Sequence, residues 1–152
     1  MISKYAHFSL SVSRIYHDIQ RIERQEMEGF GLKGPHAQTL LAMLRYPEGI
    51  TAVQLCEICD KDKAAVSRCI AELEEKGMVC RGQNKGTNYR APLQLTGEGE
   101  AAARAVEEKA RLAVEQAGIG LEDDQRQIFY RVLAQISENL HTICQDGLKE
   151  SR

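Results

Sequence analysis

Lys61, Lys63, Ala64, Ser67 and Arg68 are small or cationic, and on a helix that begins near Lys63 they lie together on one side. Small side chains let a helix backbone come close to a polyanion, cations neutralise its phosphates, and Ser67 and Arg68 can donate hydrogen bonds to phosphate oxygens. Lys63 and Ala64 are the candidates for base edges, and Arg68 can reach guanine or a phosphate. The other side of the same helix is apolar, with Val66, Cys69, Ile70 and Leu73 at i, i+3, i+4 and i+7, and must be buried. Asp62 is placed to cap the helix N-terminus, and Gly77 to end it with a positive φ. A helix divided in this way is expected to read duplex DNA.

Two other residue sets invite chemistry. Cys56 and Cys59 form a C-x-x-C pair, a spacing used in redox and zinc sites. A structural zinc ion needs about four ligands, and no second pair with suitable spacing exists. Both positions also fit the apolar face of a helix, where cysteine acts as a small hydrophobe, so core packing is the expectation. The five cysteines, Cys56, Cys59, Cys69, Cys80 and Cys144, are odd in number and lie mostly within apolar patterns, which argues against a disulfide framework. His7, His17, His36 and His141 are scattered. The chain has no Gly-rich phosphate loop, nucleophile motif or metal-ligand cluster, so neither an enzyme nor a bound cofactor or metal is expected.

A chain of 152 residues holds one domain with a real core, or a small domain plus an oligomerisation element. Its net charge of −2 announces no polyanionic partner, but the charge is unevenly placed. Between Lys61 and Arg90 seven Lys and Arg oppose four Asp and Glu, a local +3 that leaves −5 for the rest. No stretch approaches the ~20 apolar residues needed to span a bilayer. A cytoplasmic protein without a membrane partner is expected.

The elements that must position the basic helix follow from periodicity. Phe8, Val12, Ile15, Ile19 and Ile22 step by 4, 3, 4 and 3, the stepping of a helical seam, in a long helix over about residues 3–29. Gly29, Gly31, Gly34 and Pro35 break it, and Pro35 suits the first turn of a second helix carrying Ala37, Leu40, Leu41, Met43 and Leu44. Thr51 and Gln54 fit a capping box for a short third helix to about residue 59, with Val53, Leu55, Cys56 and Cys59 facing inward. A short helix, a tight turn and a helix with an exposed basic face make a helix-turn-helix. Thr51, at its head, joins the DNA-contacting set.

Residues 78–81 and the alternating Ala91, Leu93 and Leu95 flank a turn-rich stretch and predict a β-hairpin whose tip carries Lys85. Pro92 cannot donate to a ladder, so the second strand should lie at an edge or point that missing amide outward. Thr96 can cap a helix running to Ala117. A last helix begins near Glu122, along which Phe129, Leu133, Ile136, Leu140 and Ile143 repeat the 4, 3, 4, 3 stepping. Two narrow stripes at opposite ends of a chain this size have too little partner surface within it, so packing between subunits is expected.

The sequence resembles the MarR (multiple antibiotic resistance regulator) family of winged-helix transcription factors. The resemblance rests on Leu-Cys-Glu-Ile-Cys at 55–59, Asp-Lys-Ala-Ala-Val-Ser-Arg at 62–68, Leu-Glu-Glu-Lys-Gly-Met-Val at 73–79 with Arg81, Leu-Thr-Gly-Glu-Gly at 95–99, and the order of elements. It implies a mainly α fold with a small β-hairpin wing. A winged-helix DNA-binding domain at 34–97 would lie between segments 1–33 and 98–152, which together form a helical dimerisation region.

It further implies a homodimer that binds pseudo-palindromic double-stranded DNA, as a repressor relieved by a small aromatic or anionic effector. Tyr16, His17 and His36 lie on elements that border the family's effector cleft. The stripe residues Phe8, Val12, Ile15, Ile19, Phe129, Leu133, Ile136, Leu140 and Ile143 would form the dimer interface. Family wings often carry an Asp-x-Arg pair before the Leu-Thr. This chain has no Asp there, and the wing's DNA role falls to Lys85 and Arg90. Two other readings stay open: a winged-helix module that contacts proteins without reading DNA, and a thiol- or metal-sensing regulator.

Overall fold

The computed structural model describes residues 3–82 and 91–148. Its elements are α1 (Lys4–Gly29), α2 (Gly34–Leu44), α3 (Ala52–Cys59), α4 (Lys63–Glu75), β1 (Val79–Arg81), β2 (Leu93–Leu95), α5 (Gly97–Ala117) and α6 (Asp123–Asp146). The chain divides into two compact units, Met1–Ala113 and Val114–Arg152.

In the first unit the helix ends are fixed by local hydrogen bonds that sequence spacing predicts. The Ser3 hydroxyl accepts the Ala6 N–H at 3.1 Å and starts α1. At α3 the Thr51 hydroxyl accepts the Gln54 N–H at 3.2 Å while Gln54 Oε1 accepts the Thr51 N–H at 2.9 Å, a complete capping box. Asp62 Oδ1 accepts the Ala65 N–H at 2.8 Å and starts α4. Gly77 ends it at φ 71°, and the Met78 N–H reaches back to the Leu73 carbonyl at 2.9 Å. Between α3 and α4, Asp60 turns the chain at φ 49° and ψ 52°. It is the only non-glycine residue with positive φ among those described.

Val66, Ile70 and Leu73 of α4 are buried against Ala37, Leu40 and Met43 of α2 and Leu55 of α3. Leu40, Leu55 and Leu73 are wholly enclosed, and each such burial contributes about 2 kcal/mol relative to exposure. The core also draws in Met27 of α1 and Ala102, Ala103 and Val106 of α5, so its packing reaches beyond 34–97 on both sides. One expectation is corrected here: Val53 is exposed. Successive helical residues turn by about 100°, so Val53 and Leu55, two apart, face nearly opposite ways, and Leu55 takes the core side.

β1 and β2 pair antiparallel with Val79 opposite Leu95, Cys80 opposite Gln94 and Arg81 opposite Leu93. Ile50, just before α3, bridges Leu93 from the other side through bonds of 2.8 and 3.0 Å. Pro92 lies one residue outside β2, where its carbonyl accepts the Gly82 N–H at 2.7 Å, so its missing amide costs the ladder nothing. The hairpin tip, with Lys85 and Arg90, lies outside the described residues.

The hairpin hands over to α5 at a crowded point. The Thr96 hydroxyl accepts the Gly99 N–H at 3.1 Å and donates to the Gly77 carbonyl at 2.6 Å. This draws α5 so close to Met78 that a Cβ added at Gly99 would overlap the Met78 carbonyl oxygen.

In the second unit α6 begins after Glu122, whose N–H is accepted by Gln125 Oε1 at 2.9 Å. The Arg126 guanidinium closes the preceding turn on the Gly118 carbonyl at 2.6 Å. No residue of α6 is buried, and Phe129, Leu133, Leu140 and Ile143 stand exposed. In α1, Phe8, Val12 and Ile15 are likewise exposed, while Met27 near the end of the helix is enclosed. Among the described residues no helix is long and apolar enough to cross a membrane.

Gly99→Ala should lower the stability of the chain by about 3 kcal/mol in urea denaturation, because the backbone of Met78 must shift to admit one methyl group. A loss under about 1 kcal/mol would show that the junction can open without cost.

Candidate nucleic-acid interface

Lys63, Ala64, Ser67 and Arg68 of α4 are all exposed, on the side opposite Val66, Ile70 and Leu73. Their side of the helix includes its N-terminal turn, where the free amides and the helix dipole favour an anion. Lys61, in the turn before α4, is half-buried, and so is Thr51, whose hydroxyl is engaged with Gln54. The first five of the predicted contact residues other than Thr51 are thus brought together at one end of α4, and Lys85 and Arg90 lie outside the described residues.

Two ion pairs that sequence spacing does not reveal hold α4 in place. Glu72 points toward the start of α2, where its Oε2 lies 3.1 Å from Lys33 Nζ and 2.8 Å from His36 Nε2. His36 is buried, with 1% of its surface exposed. Its Nδ1 accepts the backbone N–H of Lys33 at 3.0 Å, which puts the ring proton on Nε2 as the donor to Glu72. Burial lowers the His36 pKa against the opposing pull of Glu72, and the bonds from Lys33 and His36 hold Glu72 below the usual carboxylate range. The second pair joins α4 to the hairpin: Glu74 accepts Arg81 Nε at 2.8 Å and its Nη2 at 3.4 Å. Nothing in the spacing marks these pairs, since Lys33 and Glu72 are 39 residues apart.

The three predicted effector residues are placed differently. His17 lines an open hollow of about 610 Å³ along α1 with His7, Leu10, Arg14 and Asp18. The Tyr16 hydroxyl accepts the side-chain amides of Gln20 at 2.8 Å and of Gln38 at 3.4 Å, tying α1 to α2. Both ring nitrogens of His36 are engaged within the chain, as described above.

Known proteins resemble the chain in both sequence and fold. The MarR family profile matches residues 30–86, the span from the end of α1 to the hairpin. A Bacillus subtilis protein, the uncharacterized HTH-type transcriptional regulator YdgJ, is 30% identical over 105 residues, which is 68% of this chain. The match spans 63% of that relative's own length. Across residues 30–86 the chain is similar to the MarR family.

Solved MarR-family structures agree in fold along nearly the whole chain. A regulator from Methanosarcina mazei superposes with a TM-score of 0.81 at 22% identity, covering 93% of this chain and 94% of that one. A regulator from Listeria monocytogenes, crystallised with a 26mer DNA, gives 0.78 at 21% identity over 93% and 96%. Against the family pattern, this chain lacks the wing's Asp-x-Arg pair, and the Arg81–Glu74 pair ties the base of its hairpin to α4.

The committed Nδ1 makes His36 neutral in the folded chain, with a pKa below its ordinary ~6.5. Stability that needs neutral His36 is therefore complete above about pH 6.5 and is lost as pH falls through the lowered folded value. Urea unfolding at about pH 7.5 and about pH 5.5 should show a smaller acid loss in His36→Gln than in the unsubstituted chain. An equal loss in both would remove His36 from that role.

Proposed function

We propose that this chain belongs to the MarR family, binds double-stranded DNA sequence-specifically, as a homodimer on a pseudo-palindromic operator, and acts as a repressor that a small aromatic or anionic effector relieves. The observation that carries the reading is α4, with Lys63, Ala64, Ser67 and Arg68 exposed together opposite its buried side. In this role α4 enters the major groove, Thr51 and Lys61 contact the backbone beside it, and Lys85 and Arg90 on the wing approach the neighbouring phosphates. The Listeria relative with its 26mer DNA supports the DNA reading.

The dimer reading is supported by the exposed stripes. Phe8, Val12 and Ile15 on α1, and Phe129, Leu133, Leu140 and Ile143 on α6, leave apolar surface facing water that a second copy would cover. Ile19 and Ile136 continue the same stripes. Two-fold symmetry then sets the two copies of α4 about 34 Å apart, one turn of DNA. His17, in the hollow along α1, and Tyr16 beside it are the residues proposed to meet an effector, and His36 acts on α4 through Glu72.

Selection of bound sites from random duplex DNA should return a two-fold symmetric consensus. Failure to enrich any sequence would favour a module that contacts proteins instead. Arg68→Ala should weaken binding and flatten the dependence of log K on log salt by about one unit, as expected for one lost phosphate contact. Leu133→Glu should turn the chain monomeric in sedimentation and abolish operator binding, and a persistent dimer would place the interface elsewhere.

A further inference from the structure

Three helices of this chain begin in the same way, with the side chain of the third helical residue accepting the N–H of the residue before the helix. At α3 the acceptor is Gln54 Oε1 and at α6 it is Gln125 Oε1, each at 2.9 Å, and neither amide takes a proton in water. At α2 the acceptor is His36 Nδ1, 3.0 Å from the Lys33 nitrogen. An imidazole in that place accepts the bond only while it is neutral, because the imidazolium carries N–H on both nitrogens. We propose that His36 makes the α2 cap a proton switch: a second proton on its ring opens the cap, loosens α4 from the head of α2 and lowers affinity for DNA. The effect on DNA rests on the DNA reading above, whereas the opening of the cap does not.

The fold gives the charged ring no other way to satisfy the Lys33 N–H. His36 is enclosed, and its Nε2 lies 2.8 Å from Glu72 Oε2. Turning the ring over exchanges the two nitrogens, but in the imidazolium both are donors. Glu72 is held below the usual carboxylate range by Lys33 and His36, so it stays ionised where His36 titrates, and its bond to Nε2 survives. The proton therefore breaks one contact of the ring and keeps the other. Two N–H groups cannot face each other across 3.0 Å, so the backbone at Lys33 must move away. Leu32 just before it is buried and its N–H is held by the Met27 carbonyl at 3.0 Å, which leaves Lys33 and Gly34 to take up the motion. Lys33 also carries the ammonium 3.1 Å from Glu72. Its displacement withdraws that ion pair, and α4 loses one of the ties that hold its exposed side in place.

The groups around the ring set where the switch acts. Burial lowers the His36 pKa first of all, Glu72 opposes this, and the cations Lys33 and Lys76 lower it further. From α1, the side chain of Arg24 packs over Gly34. On the sides of α2 that face α3 and α4, burial pushes the Cys59 and Cys69 thiols up and keeps them neutral, and β2 brings no charged residue. The cap is therefore closed above the ordinary histidine value of ~6.5 and opens below it.

The test compares the unsubstituted chain with His36→Gln, which gives α2 the acceptor that α3 and α6 already use. Each protein is titrated with the best-enriched duplex from selection on random DNA, from about pH 7.5 down to the lowest pH at which both stay folded. The readout is the change of affinity across that range within each protein, so the other histidines, common to both, cancel. Beyond the change seen in the variant, the unsubstituted chain should lose up to about tenfold in affinity for each pH unit below the folded value of His36. At the acid end, DNA binding should release close to one proton per chain, read by calorimetry in buffers of different ionisation enthalpy, and His36→Gln should lack that release. An equal change of affinity in the two proteins overturns the switch.

If the variant fails to fold, ring-nitrogen NMR of the unsubstituted chain decides. His36 should carry its proton on Nε2 alone at neutral pH, and its uptake of a second proton should move the Lys33 amide signal with the same midpoint. A Lys33 amide that stays in place while His36 titrates refutes the opening of the cap. A chain whose cap opens in this way but which binds no duplex at neutral pH would overturn the DNA reading instead.

Discussion

The face that α4 shows to solvent is set by the face it hides. Val66, Ile70 and Leu73 are locked among residues of α2 and α3, and each position along the helix turns it by about 100°. Rotating α4 by one residue would expose Leu73 and carry Arg68 toward the core. The direction in which Lys63, Ala64, Ser67 and Arg68 point is thus a consequence of close packing behind them, which resists small rotations because a filled core has no slack. The Asp62 cap and the Gly77 terminus set the length over which this holds.

Charge on α4 is sorted along its length. The N-terminal half carries Lys63 and Arg68, while Glu72, Glu74 and Glu75 crowd the C-terminal half, where they oppose the helix dipole and would repel a phosphate backbone. Two of these carboxylates are drawn aside, Glu72 to Lys33 and His36, and Glu74 to Arg81. These pairs are partly exposed and add little to stability by themselves. Their larger effect is positional: one ties α4 to the head of α2 and the other ties it to the base of the hairpin.

What the sequence made legible was local. Thr51 with Gln54, Asp62, Gly77 and Thr96 fixed helix ends within a residue or two, because a cap is satisfied by atoms three or four positions away. The apolar steps of α4 located its buried side for the same reason. The Glu72–Lys33–His36 and Arg81–Glu74 contacts and the strand bridge from Ile50 to Leu93 were not legible, since each depends on how separate elements pack. The spacing pairs Cys59 with Cys56, whereas the fold sets the Cys59 thiol 3.9 Å from the Gln38 carbonyl oxygen of α2. Hydrophobicity alone places Val53 inward, and an eight-residue helix is too short for its pattern to outvote one residue.

The bare stripe of α6 has a consequence for dosage. A helix of 24 residues with none buried draws little support from tertiary packing, which is where most helices in proteins obtain their stability. If a second copy supplies that packing, order at the end of the chain follows mass action. Below the dimer dissociation constant the population of assembled regulators then grows with the square of chain concentration. A twofold change in synthesis becomes a fourfold change in occupied-ready dimer, so the switch would be sharpened by the copy number of the protein itself.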